Sequence, residues 1–195
     1  MQIPLSGCSE IVKSLRAADQ SRRAFFRMTI AAGTLAGASA LLPALASTER
    51  RIVSFRHTHT GGSLRAEYFV DGIYQPEVLS AVNHLLRDFR TGDIHSIDPQ
   101  LLDLLSDLAL LTGVEAPYEV ISAYRSPATN AMLHDTTGGV AEHSQHMLGK
   151  AIDIRLPAFS SEHLGALARM LGRGGVGVYL DSNFVHVDTG PVRVW

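Results

Sequence analysis

Cysteine is almost absent from this chain. Cys8 is the only one in 195 residues, and it precedes everything that reads as a folded domain. A domain beginning near residue 47 therefore has no thiol, which excludes a disulfide framework, a cysteine-ligated zinc and a cysteine nucleophile. Leu5-Ser6-Gly7-Cys8 has the form of a lipoprotein acceptor site but lacks the preceding apolar run such a site needs. Excess positive charge is missing too. The formal net charge is -2, so there is no basic footprint for nucleic acid. Internal repeats, low-complexity tracts and a G-x-S-x-G nucleophile elbow are absent. So are coiled-coil heptads and exposed apolar stripes, which leaves a monomer as the expectation.

What is present divides the chain in two. Residues 1–46 carry more bases than acids (Lys13, Arg16, Arg22, Arg23 and Arg27 against Glu10 and Asp19), whereas the remainder is acidic and holds every histidine. Ser21-Arg22-Arg23-Ala24-Phe25-Phe26-Arg27 leads into a weakly apolar run over 28–46 that ends in Ala44-Leu45-Ala46, a small-x-small cleavage pattern. Adjacent arginines followed by aromatics and such a run resemble a bacterial twin-arginine export signal. Gly33, Gly37 and Pro43 make the run a poor membrane span. The expected organisation is a signal segment over 1–46 and one domain over 47–195, delivered to the periplasm already folded, with no stable span in the mature form. Such a route suits a domain that acquires a metal before export.

Along the domain, 52–58 and 64–70 are rich in β-branched and aromatic residues and are separated by Gly61-Gly62, the pattern of a hairpin. Pro76 opens a helix that the apolar spacing carries to about Arg90. Asp98-Pro99 reads as an N-cap with a first-turn proline, and leucines on many sides continue that helix to Gly113. A strand at 118–123, a short helix after Pro127, a polar loop over 135–145, a strand at 150–155, a helix over 160–171 and a final hairpin (176–180, 184–188) complete the order. This is an α+β arrangement, a mostly antiparallel central sheet with flanking helices.

Strand alternation then exposes a pattern. In 151–155, Asp153 shares a face with Ala151 and Arg155, while Ile152 and Ile154 take the other. In 184–188, Phe184, His186 and Asp188 oppose Val185 and Val187. If the two strands pair, Asp153 and His186 converge, and His146 stands on the loop entering the first strand, with Gly149 letting that loop fold back. A bare carboxylate is costly to bury. Two imidazoles and a carboxylate are a three-ligand set that leaves a fourth position for water on one zinc ion. The spacing also permits Asp153 to pair with Arg155 or Lys150, and His186 to be a satisfied core histidine.

Ser144, His146, Gly149, Ala151 and Asp153 reproduce S-x-H-x-x-G-x-A-x-D, and Val185-His186-Val187-Asp188 follows. Together they resemble the zinc D-alanyl-D-alanine carboxypeptidase and sonic-hedgehog superfamily, over roughly residues 50–195. The segment 122–130 (SAYRSPATN) resembles its Tyr-Arg-Ser segment, and residues 174–195 resemble the C-terminus of its periplasmic murein-cutting members. The resemblance implies one Zn2+ held by His146, Asp153 and His186, hydrolysis of peptide cross-links in peptidoglycan by metal-activated water, and the fold of that superfamily. Arg125 is the candidate for a substrate carboxylate or oxyanion, and Ser144 for a polar contact beside the ligands and the substrate. Superfamily carboxypeptidases often carry a glutamate three residues before the last histidine, and others a histidine two before it. Here those positions are Asn183 and Phe184, so Asp188 is the candidate general base. A D,D-carboxypeptidase trimming stem peptides and a non-catalytic wall-binding module are the alternatives. A reporter fused behind residues 1–50 is expected to be exported by wild-type cells and retained in cells lacking the twin-arginine translocase, scored by fractionation.

Overall fold

The computed structural model describes residues 49–195 apart from Gly138 and Ala158; Cys8, the export segment and the boundary at 46/47 lie outside the described residues. Two hydrophobic patterns build the domain. Period-two stretches form strands β1 (Arg50–His57), β2 (Ser63–Val70), β3 (Ile73–Tyr74), β4 (Tyr118–Ser122), β5 (Ala151–Arg155), β6 (Gly175–Tyr179), β7 (Phe184–Asp188) and β8 (Arg193–Val194). Helical spacing forms α1 (Pro76–Leu85), α2 (Pro99–Thr112), α3 (Pro127–Thr137) and α4 (Ser161–Leu171). One eight-stranded sheet results, in the order β3-β2-β1-β4-β5-β7-β6-β8. β1 with β4 and β6 with β8 pair in parallel, and the other neighbours are antiparallel. The α+β expectation holds. Among the described residues, no helix is long and apolar enough to cross a membrane.

The two faces of the sheet differ chemically. Ile152, Ile154, Val185 and Val187 are fully buried on one. There α4 packs on β6 and β7, and α2 packs on β1 and α4. Gly165 of α4 comes so close to Val178 that a Cβ would stand 2.3 Å from its Cγ2, so this glycine sets the helix-to-sheet distance. The leucine-rich α2 buries Leu101, Leu102, Leu104, Leu105 and Leu108 almost completely, each worth roughly 1.5–3 kcal/mol of apolar burial. Its ends follow the sequence signals: the Asp98 side chain accepts from Gln100 N at 3.0 Å, and Gly113 closes it in the left-handed region at φ 62. Asp103 ties α2 to the sheet by accepting from Tyr68 Oη at 3.0 Å and Tyr74 Oη at 2.7 Å. The opposite face of the sheet carries charge, including an Arg56–Glu119–Arg155 cluster.

Three elements depart from expectation. The first helix ends at Leu85, not near Arg90. The chain leaves the helix to bury Asp88, whose Oδ2 accepts from both Ser126 N at 2.9 Å and Ser126 Oγ at 2.8 Å. That tertiary demand outweighs the helical spacing of Phe89. The others are β3 and β8, two-residue strands that the sequence pattern does not announce.

His57 and His59 meet around Phe89. His59 stacks on it at 4.1 Å, and His59 N donates to His57 Nδ1 at 3.2 Å. His57 is fully buried, and among the described residues its Nε2 has no hydrogen-bond partner. Burial, reinforced by the nearby His59 and Arg87, pushes its pKa down to about 4. An ordinary histidine titrates near 6.5 in the unfolded chain. The unfolded state therefore binds the proton first, and stability falls as pH drops from about 6.5 towards 4, by on the order of 2 kcal/mol. His57→Leu is expected to flatten that part of the curve of melting temperature against pH.

Candidate metal centre

The register of β5 on β7 sets Asp153 directly across from His186. Because both strands turn their branched residues to the helices, both polar side chains emerge on the opposite face. The third residue comes from a single 3-10 turn, Gln145–Leu148, capped by Ser144, whose hydroxyl accepts from His146 N. Gly149 ends that turn at φ 65. A Cβ there would lie 2.2 Å from Ser96 O, so both its backbone and its surroundings require glycine. The turn drops His146 over the strand pair, and His146, Asp153 and His186 are all buried.

Their donor atoms form a small triangle. His146 Nε2 lies 3.2 Å from His186 Nδ1 and 3.3 Å from Asp153 Oδ1, and His186 Nδ1 lies 2.9 Å from Asp153 Oδ1. Tetrahedral ligands with bonds of about 2.0–2.1 Å stand roughly 3.3 Å apart, so the triangle has the size of one tetrahedral face. The tautomers agree. His146 Nδ1 donates to Ala123 O at 2.6 Å, and His186 Nε2 donates to Asp188 Oδ2 at 3.0 Å. A carbonyl and a carboxylate can only accept, so the outward nitrogens carry the protons and the inward ones aim lone pairs at each other and at Asp153. Such convergence asks for a cation. Among the described residues this is the one group of three or more His, Cys, Asp or Glu side chains whose ligand atoms lie within 4.8 Å of one another. The residues present fit a single divalent metal ion.

Titration of the cluster reflects the same crowding. Burial alone would raise the Asp153 carboxyl, but the two imidazoles outweigh it and hold it well below the carboxylate range. Burial pushes the His146 imidazole down against the pull of Asp153. At His186 burial also works downward, yet hydrogen bonds to Asp153 and Asp188 prevail and raise it.

Around the triangle the other candidates take distinct places. Arg125, nearly buried on the loop between β4 and α3, sets Nη2 3.8 Å from Asp153 Oδ2. Its Nε is buried without a hydrogen-bond partner among the described residues. Burial lowers its pKa, with Asp153 opposing. Asp153 pairs with neither Arg155, which is bound to Glu119, nor the exposed Lys150. Asp188, the candidate base, already has several hydrogen-bond partners. It is fully buried behind His186; Oδ1 accepts from Gly175 N at 2.9 Å and Gly190 N at 2.8 Å, and Oδ2 from His186 and from Arg193 Nη2 at 2.7 Å. It is held by four partners, and against the pull of burial these, His186 foremost, keep its carboxyl well below the usual carboxylate range. Asn183 is exposed in the β6–β7 turn and accepts from Ser161 Oγ, and Phe184 stacks on Tyr179 at 4.5 Å.

Asp88 is the contributor that sequence reasoning missed. By gripping Ser126 it fixes the loop that carries Arg125, and only the fold brings those positions together. Elemental analysis of the purified protein is expected to find about one divalent ion per chain, and His146→Ala to lose it while keeping the native circular dichroism spectrum. Loss of the metal-dependent gain in melting temperature would accompany it.

Comparison with known proteins agrees with this geometry. The family described as peptidoglycan L,D-endopeptidase MepK matches residues 45–195. The chain is 42% identical to the peptidoglycan L,D-endopeptidase MepK of Escherichia coli strain K12 over 174 residues, covering 87% of this chain and 96% of that protein. It is 38% identical over 179 residues to the probable peptidoglycan L,D-endopeptidase MepK of Haemophilus influenzae, covering 91% and 96%. No solved structure gives a significant match. The extent of these matches, together with the buried histidine–aspartate–histidine set, places the chain in the peptidoglycan L,D-endopeptidase MepK family.

Proposed function

We propose that this protein is an exported, periplasmic zinc metallopeptidase that hydrolyses peptide cross-links of peptidoglycan. The observation that carries the proposal is the convergence of three inward lone-pair donors, the outer nitrogen of each imidazole being tied down, in a member of a peptidoglycan endopeptidase family. His146, Asp153 and His186 hold the ion. Zinc suits two imidazoles and one carboxylate with a further position open. When bound, the ion supplies Lewis acidity, lowering the pKa of water at the site and polarising a carbonyl.

The remaining work falls to the chain. Ala123 O and Asp188 fix the tautomers and aim of the two imidazoles, which raises their basicity as ligands. Arg125 is charged, buried and short of acceptors, so it binds a substrate carboxylate or the oxygen that becomes negative during hydrolysis. Ser144, capping the turn of His146, lies beside the ligands as a polar contact for the substrate. The relatives' description as L,D-endopeptidases favours one of two cross-links. A bond from an L-centre carbonyl to a D-centre amine joins two diaminopimelates, whereas the link from D-alanine to diaminopimelate is D,D. The positions of Asn183 and Phe184, where related sites place a base, support one rival reading, a module that binds wall peptides without cutting them.

Turnover separates the readings. Muropeptide dimers incubated with the purified protein should yield monomers with zinc and remain intact with chelator. Bound but uncut dimers under both conditions would establish the binding module, and release of terminal D-alanine alone would establish a carboxypeptidase. Arg125→Lys is expected to reduce kcat/KM by about 10²-fold, since a point charge cannot replace the guanidinium fork.

A further inference from the structure

Trp195 is the single tryptophan of the chain and its last residue. It sits beside the metal centre. Its ring centre lies 5.2 Å from that of His186. The strand next to His186 makes room for it: Gly177 of β6 pairs directly with His186, and a Cβ on Gly177 would stand 2.6 Å from two indole atoms. The ring is then fastened from several directions. Trp195 Nε1 donates to Tyr179 Oη at 2.8 Å, and the Arg193 guanidinium lies 5.1 Å from the ring centre. The backbone continues the β6–β8 ladder, with Trp195 N donating to Val176 O at 3.2 Å and Val178 N donating to Trp195 O at 3.3 Å.

Despite all this Trp195 remains 49% exposed. A large aromatic residue whose ring is fastened on several sides while the residue stays open to water has not been placed for burial alone. Pre-organised, half-exposed tryptophan is characteristic of a binding surface, where its ordering cost is met before the ligand arrives. Tyr179 and Phe184, stacked on one another, extend the surface, and the exposed Val194 adjoins it in sequence. The metal site is therefore bracketed. Arg125, a cation, stands beside Asp153, and an apolar wall stands beside His186. A ligand matching both carries a carboxylate and a run of methylenes within one residue's length of the bond being cut.

We infer that Trp195 is a substrate-contacting residue whose indole receives the aliphatic side chain of the diamino acid at the peptide cross-link. This deepens the proposed peptidase reading and rests on it. The occupant is the diamino acid rather than a sugar, because the wall is continuous with a metal ligand and so lies next to the scissile bond, whereas the glycan strand is separated from that bond by the stem peptide.

The sole tryptophan makes the test direct. In metal-depleted protein, where no turnover occurs, Trp195 emission should change saturably on titration with sugar-free cross-linked peptide dimers. Under turnover with zinc, Trp195→Ala should raise KM about tenfold, the scale of one lost aromatic contact, with kcat within about threefold and zinc content unchanged. Trp195→Phe should restore most of the affinity. Gly177→Ala, which displaces the ring without altering it, should raise KM in the same way, and melting temperatures will show that each variant is folded. An unchanged KM in Trp195→Ala, loss of zinc in that variant, or an emission change only with fragments that bear sugars would overturn the inference. The emission titration needs no catalysis, so dimers that bind Trp195 but are not cut by the zinc-loaded wild type would refute the peptidase reading and leave the contact standing.

Discussion

One carboxylate organises this protein. Asp153 is buried in the middle of a sheet, within hydrogen-bonding distance of two imidazoles, and a charge there is tolerated only if positive charge converges on it. The pairing of β5 with β7 brings one imidazole. The 3-10 turn, bent back through Gly149, brings the other. Burying the branched residues of both strands against α4 fixes which way all of these side chains point, because a slip of one residue in register would turn Asp153 and His186 into the hydrophobic core. The apolar face of the sheet thus determines the chemistry of the polar face.

The charged residues around the triangle divide by how fully each is occupied. Asp188 has two backbone amides, an imidazole and a guanidinium as partners. Among the described residues Arg125 has one loose ionic contact and an unsatisfied Nε. Asp188 and Arg125, which look alike in a linear reading as charged residues near the same motif, thus differ in how far their hydrogen-bonding capacity is used. Asp88 belongs with the saturated set, because its grip on Ser126 keeps Arg125 aimed while Arg125 itself stays under-coordinated.

Much of the centre was legible in the sequence because its parts are local. Period-two alternation put Asp153 and His186 on the polar faces of their strands, Gly149 announced a tight return, and Asp98-Pro99 and Gly113 bounded α2. What escaped depends on partners far along the chain. Phe89 continues a helical stripe, so nothing local says that Asp88 will leave the helix for a serine 38 residues away. Asp188 alternates onto the face of His186, which suggested a base; only the chain folding back at Gly175, Gly190 and Arg193 shows that its oxygens are taken. The dipeptide of β8 is too short to carry a periodic signal, and the contact of His57 and His59 depends on a ring from the segment after α1.

The sheet has eight strands and two margins, and each margin is a strand of only two residues, Ile73–Tyr74 on one side and Arg193–Val194 on the other. Unpaired backbone at a long edge is a template for any extended chain that drifts past. β3 covers only Phe69 and Val70 of β2, and β8 covers only Gly175 and Val176 of β6. The two-residue margins themselves therefore offer little backbone on which an extended chain could add as a ninth strand.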